Sequence, residues 1–200
     1  MQQTRIVIPL FLLALAACDA QRAEAPPASP PPAADPPPAL PRPQAVPADD
    51  GAVTKPSRFD GYGPVHFGMT EAEVRAAWNG SLRDDGAGEA CHYLHPDDDR
   101  PTAHFALMIE HGKFVRYDVG NPDEMAPGGG KVGLDADEIR ALYAGRVEAR
   151  PHQYVEGGQY LRVPATEGAG WLVFETDADG KVTSWRAGVE PQVDYIEGCA

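Results

Sequence analysis

Cysteine is scarce in this chain: Cys18, Cys91 and Cys199 are the only three among 200 residues. No second cysteine or well-spaced histidine stands beside Cys199, so a metal held by cysteine pairs is not expected there. Positive charge is scarce as well, with 17 Lys and Arg against 30 Asp and Glu and a formal charge of −13. Nucleic acid is bound through cations on its phosphates, and anionic lipid surfaces attract polybasic segments, so neither is an expected partner. Beyond residue 50 serine occurs only as Ser57, Ser81 and Ser184, none within a GxSxG elbow. Long apolar runs are missing apart from residues 6–17, which fall short of the roughly 20 needed to span a bilayer.

That one apolar run follows Arg5 and reads as the hydrophobic region of an export signal. It ends in Leu15-Ala16-Ala17-Cys18, which resembles the lipobox of bacterial lipoproteins. The resemblance implies cleavage before Cys18, acylation of that cysteine and anchoring to a membrane of the bacterial envelope, facing the periplasm. Asp19 resembles the retention signal that keeps enteric lipoproteins in the inner membrane; sorting rules differ between bacteria, so both membranes stay open. Residues 19–56 are dominated by Pro, Ala and acid, which bury no apolar surface and favour an extended spacer of about 3.1 Å per residue. The expected organisation is a signal peptide at 1–17, an anchor and linker at 18–56, and a folded domain at 57–200. Over residues 51–200, 14 Lys and Arg face 25 Asp and Glu, a formal charge of −11. Such a domain suits a basic partner. With Cys18 assigned to lipid, Cys91 and Cys199 remain as a pair in an oxidising compartment, which argues for one disulfide.

Within the domain one pattern occurs twice. FGMTEAEVRAAW at 67–78 corresponds to VGLDADEIRALY at 132–143, with Gly68 on Gly133, Thr70 on Asp135 and Glu73 on Glu138. Thr70 and Asp135 are good N-caps, and Glu three residues on completes a capping-box signature. Val74, Ala77 and Trp78, like Ile139, Leu142 and Tyr143, recur at helical spacing, and Gly80 and Gly145 stop the helices. Each helix is followed by an alternating hairpin, at 104–120 and at 171–188, with Gly112-Lys113 matching Gly180-Lys181 and Tyr117 matching Trp185. Further strands are expected at 90–94 and 160–163. The expected fold is α+β: two degenerate helix-plus-meander repeats, at about 60–122 and 128–200, sharing one core with both helices on one sheet face.

Gly68-Met69-Thr70 followed by Val74 resembles the repeats of β-lactamase inhibitory protein and the small lipoprotein of the outer-membrane β-barrel assembly machine. Both are binding proteins with helices on an antiparallel sheet, which implies an interaction module. DGYGPVHFGM (60–69), CHYL (91–94), VRYDVG (115–120), GGGKVG (128–133), PHQY (151–154) and VDYIEGC (193–199) are similar to a lipoprotein family of Xanthomonas-like bacteria, whose members are sometimes labelled lectins. That label implies a carbohydrate-binding alternative.

Other chemistry finds little purchase. Cys91, His92 and His95 sit close in sequence, but on a strand His92 opposes the other two, so no metal is expected there. The run 175–180 imitates a calcium loop, yet Arg186 occupies the position of the bidentate Glu, and an Asp-Gly hairpin turn accounts for the segment. Gly128-Gly129-Gly130 does not run straight into a helix and reads as a connector rather than a phosphate cradle. No catalytic residue, cofactor or enzyme activity is expected. Alternation along 114–119 places Tyr117 in the core and turns Phe114 and Arg116 to the sheet face away from the helices, with Arg186 beside them. Phe114, Arg116, Trp171 and Arg186 are therefore the expected binding residues, for an envelope protein or a glycan.

Overall fold

The computed structural model describes residues 56–86, 88, 90–98 and 104–200. The expected signal, Cys18, Asp19 and the linker up to residue 55 lie outside the described residues. Three two-residue strands, β1 (Ser57–Arg58), β2 (Gly61–Tyr62) and β3 (Val65–His66), form a small antiparallel sheet ahead of α1 (Glu71–Ala77). Four strands follow: β4 (Leu82–Asp84), β5 (Cys91–Pro96), β6 (Phe105–Glu110) and β7 (Lys113–Val119). Then α2 (Ala136–Leu142) opens a second run, β8 (Glu148–Pro151), β9 (Gln159–Pro164), β10 (Trp171–Thr176) and β11 (Val182–Gly188). The class is α+β, mostly antiparallel sheet. The eight strands β4–β11 form one sheet in the order β4-β5-β6-β7-β11-β10-β9-β8, so the two runs meet at the β7–β11 pair. No helix among the described residues is long and apolar enough to cross a membrane.

Local chemistry explains the elements. At α1 the Thr70 hydroxyl accepts from the Glu73 amide at 3.2 Å, while the Glu73 carboxylate accepts from the Thr70 amide at 2.7 Å. At α2 the Glu138 carboxylate likewise accepts from the Asp135 amide at 2.7 Å. Both helices have seven residues, too few to persist alone, and each buries one residue completely, Val74 or Ile139. The hairpin of β6 and β7 turns through His111 (φ 48°) and Gly112 (φ 72°). Two consecutive left-handed residues are what a type I′ turn requires, and glycine supplies the second without strain.

The two helix entries dock on their hairpins through matching backbone bonds. Gly68 N donates to Phe114 O and Gly133 N to Val182 O, both at 2.8 Å. Phe114 N donates to Met69 O at 2.8 Å, and Val182 N to Leu134 O at 2.9 Å. Glu71 N donates to Gly112 O at 3.1 Å, and Ala136 N to Gly180 O at 2.9 Å. Between the halves, the Gly-rich connector is clasped by Tyr143, whose hydroxyl donates to Pro127 O at 2.6 Å and accepts from Gly130 N at 3.2 Å.

One apolar cluster holds Val74 and Ile139 together with Leu94, Leu107, Tyr117, Leu161, Phe174 and Trp185. Tyr117 and Trp185 are buried as expected. Phe114 is not where alternation put it. Ile109 pairs with Phe114 and Met108 with Arg116, so Val115 is an extra, unpaired residue in a β-bulge. The bulge reverses the parity of everything before it, and Phe114 enters the core against Phe67, with ring centroids 5.0 Å apart. Thr183 occupies the corresponding bulge between β10 and β11.

Candidate functional site

The sheet face opposite this cluster carries a cross-strand row. Pairing aligns Arg162 (β9) with Val173 (β10), Val173 with Arg186 (β11), and Arg186 with Asp118 (β7), with Arg116 two residues along from Asp118. The sequence led us to expect an open face; instead residues 189–200 cross it as a strap, leaving a groove of about 590 Å³ lined by Tyr93, His95, Ala106 and Asp118 beside them. Arg116, Arg162 and Arg186 are only 2–4 % exposed and hold the strap from beneath.

Each guanidinium has a distinct task. Arg116 is forked onto Asp118, with Nε 3.0 Å from both carboxylate oxygens, and it donates through Nη1 to Gln192 O at 3.0 Å and Tyr195 O at 2.6 Å. Arg186 donates to Val193 O at 2.6 Å and pairs with Glu175. Arg162 binds Asp194 through two bonds of 2.8 and 2.9 Å and also reaches Glu148 and Glu190. Planar donors with five N–H groups suit this mixture of carboxylates and carbonyls. Desolvation is offset for each charge by close carboxylate partners, the condition under which a buried ion persists.

Trp171 packs with Ile196 against Tyr160, Val173 and Val193, and the Arg162 guanidinium lies 4.2 Å from its ring centroid. Cys91 on β5 closes the strap through a disulfide to Cys199, with Cα atoms 5.3 Å apart. Of the four expected binding residues, Phe114 is thus in the core, while Arg116, Arg186 and Trp171 lie beneath the strap. Solvent also reaches a groove of about 490 Å³ along the strap, beside Gln153, Tyr154, Tyr195 and Glu197. Tyr154, at 59 % exposure, is the open aromatic among the described residues; its hydroxyl donates to Glu197, and that bond holds its pKa above the usual phenol range. Nothing in a periodicity argument marks Tyr154, because it sits in a loop outside any alternating strand.

A second cluster joins three elements. His92 on β5 points its Nε2 at Glu71 of α1, 3.2 Å from Oε2, and at Asp84 of β4, 3.7 Å from Oδ2. Among the described residues these are the ones whose ligand-type atoms gather within 4.8 Å of one another. Sequence reasoning weighed His92 only against its neighbours in the run 91–99 and missed this group. Its members are far apart along the chain and are brought together by the edge strand β4, which has no apolar alternation to announce it.

No family model matches the chain, and no curated protein matches it. Several solved structures resemble it loosely, among them three bacterial proteins. An extracellular protein containing an SCP domain from Bacillus anthracis is 11 % identical with a TM-score of 0.43, covering 76 % of this chain and 50 % of its own length. The uncharacterized protein YfeY from Escherichia coli is 15 % identical with a TM-score of 0.39, covering 60 % of this chain and 89 % of its own. A DUF4309 family protein, YjgB, from Bacillus subtilis is 11 % identical with a TM-score of 0.37, covering 61 % and 79 %. The chain spans half the length of the first of these, and likenesses at this level carry no functional assignment.

Proposed function

We propose that this chain is a lipid-anchored protein of the bacterial cell envelope whose folded domain is a non-enzymatic protein-interaction module. The anchor is acylated Cys18, the domain faces the periplasm, and Asp19 favours the inner membrane. One observation carries the interaction reading: the strap consumes Arg116, Arg162 and Arg186 internally. Each of these guanidiniums is neutralised inside the fold by Asp118, Glu175 or Asp194, so the three arginines are not offered to a partner while the domain keeps its net negative charge at the end of a proline-rich tether. Charge of that sign steers a basic protein surface towards it. The strap groove beside Tyr154 and Glu197 is the contact site, shaped from beneath by Arg116, Arg186 and Trp171.

The domain itself is an internal duplication, repeat one at about 60–122 and repeat two at about 128–200, with both helices on one sheet face. What supports this is the mirrored strand order, the three pairs of matching backbone bonds and the matching bulges at Val115 and Thr183. A lectin-like carbohydrate binder is the second reading. It loses Phe114 to the core but is favoured by the exposed Tyr154 ring flanked by Gln153 and Glu197, a platform on which a sugar can stack.

The test uses the full chain expressed in its envelope, with Tyr154 replaced by a photo-crosslinking phenylalanine derivative. A discrete protein adduct that disappears with Glu197→Lys is the expected result. Adducts to glycan alone would transfer the assignment to the lectin-like reading, and the absence of any adduct would end both.

A further inference from the structure

The geometry points to a divalent transition-metal site of the zinc type at Glu71, Asp84 and His92. Two observations carry it. The first is the way each carboxylate is held. Glu71 Oε1 accepts from Arg75 Nε at 2.7 Å, and Asp84 Oδ1 accepts from the Gly86 amide at 2.7 Å. In each case one oxygen is fixed by an outer donor while the other, Oε2 or Oδ2, is left facing His92 Nε2. Ligating carboxylates are oriented by outer-shell hydrogen bonds in this manner. Arg75 is itself steadied, donating to Leu82 O at 2.6 Å.

The second observation is His92. Its side chain is 9 % exposed, and Nε2 is fully buried without a hydrogen-bond partner, although two carboxylates stand close by. A buried ring nitrogen in that condition costs free energy unless something occupies the space in front of it. Donor atoms around a tetrahedral zinc ion, at bonds of 2.0–2.2 Å, lie about 3.4 Å apart. The His92 separations of 3.2 and 3.7 Å bracket that value. Asp84 is 46 % exposed, so the fourth position opens to solvent. One imidazole with two carboxylates matches the nitrogen and oxygen preference of zinc and its neighbours rather than the all-oxygen shell of calcium.

The ion would tie α1 to β4 and β5. It would clamp the unprotected edge of the sheet, and nothing in this requires the interaction reading above.

The experiment uses the full chain, stripped by chelator and titrated with Co²⁺ in excess Ca²⁺, which occupies loose acidic sites. The expected result is one equivalent with the visible absorption of four-coordinate cobalt, displaced by Zn²⁺, and a Tm that rises with Zn²⁺. Asp84→Asn, at a half-exposed position that leaves folding intact, weakens binding at least about ten-fold, as does His92→Asn. The proposal is overturned if the wild-type chain shows no saturable single equivalent, or if Asp84→Asn binds as tightly as wild type.

Discussion

Three arginines at 2–4 % exposure are the costliest side chains in this domain to bury and the most informative to remove. Arg116 satisfies Asp118 and two strap carbonyls at once, so Arg116→Met strands a half-buried carboxylate and leaves Gln192 O and Tyr195 O without their donor. Breaking one partner out of a buried pair costs about 3–5 kcal/mol. Urea denaturation should show a loss of that order, whereas Arg140→Ala, which gives up an exposed pair with Asp137 and one bond to Gln159, should change stability by less than about 1 kcal/mol. The phenols give a second residue-scale signature. Burial pushes the Tyr143 hydroxyl up to about 12 and raises Tyr117 well above the ordinary phenol value of 10.0. Folded pKa values above the unfolded ones mean that this contribution to stability is complete below pH 10 and is lost as pH rises towards 12. An alkaline titration followed by circular dichroism should therefore show loss of structure in that window, with a shallower pH dependence in Tyr143→Phe.

Helix entries, hairpins and edges differ in how far the sequence reveals them. Thr70 caps α1 with its hydroxyl, so Thr70→Ala should destabilise the chain by about 1 kcal/mol in thermal or urea unfolding, while Thr70→Ser should be near neutral. Such caps, the 3.6-residue spacing of Val74 and Trp78, and the Asp-Gly and His-Gly turns were all legible, because each leaves a local chemical mark. The edge strands β4 and β8 were not, since they are short and largely exposed and carry no apolar alternation. The bulge at Val115 was invisible for a different reason. A single extra residue alters no composition, yet it reverses parity and carried Phe114 from the expected surface into the core. The site was legible in part. Arg116, Arg186 and Trp171 do share one face, but the strap that covers it is an irregular segment without periodicity, and Glu71, Asp84 and His92 meet only through tertiary pairing.

At the scale of the whole molecule, one sheet of eight strands is covered on one face by its apolar cluster and over part of the other by residues 189–200. Cys91–Cys199 closes a separation of 108 residues, and the chain-entropy contribution of a loop that long reaches about 4.7 kcal/mol. Arginines from β7, β9 and β11 and the disulfide from β5 secure the same segment, so the strap spans both halves of the sheet. Where a partner binds turns on this cover, which presents the strap rather than the arginine row. Amide hydrogen exchange of the oxidised full chain, read by mass spectrometry over residues 189–200, is the decisive measurement. Slow exchange is expected at Val189 and Val193, whose amides donate to Val115 O and Val189 O at 3.0 and 2.9 Å, with faster exchange after reduction or in Arg116→Met. Rapid exchange across the whole segment in the oxidised wild-type chain would contradict it and return the open sheet face as the binding surface.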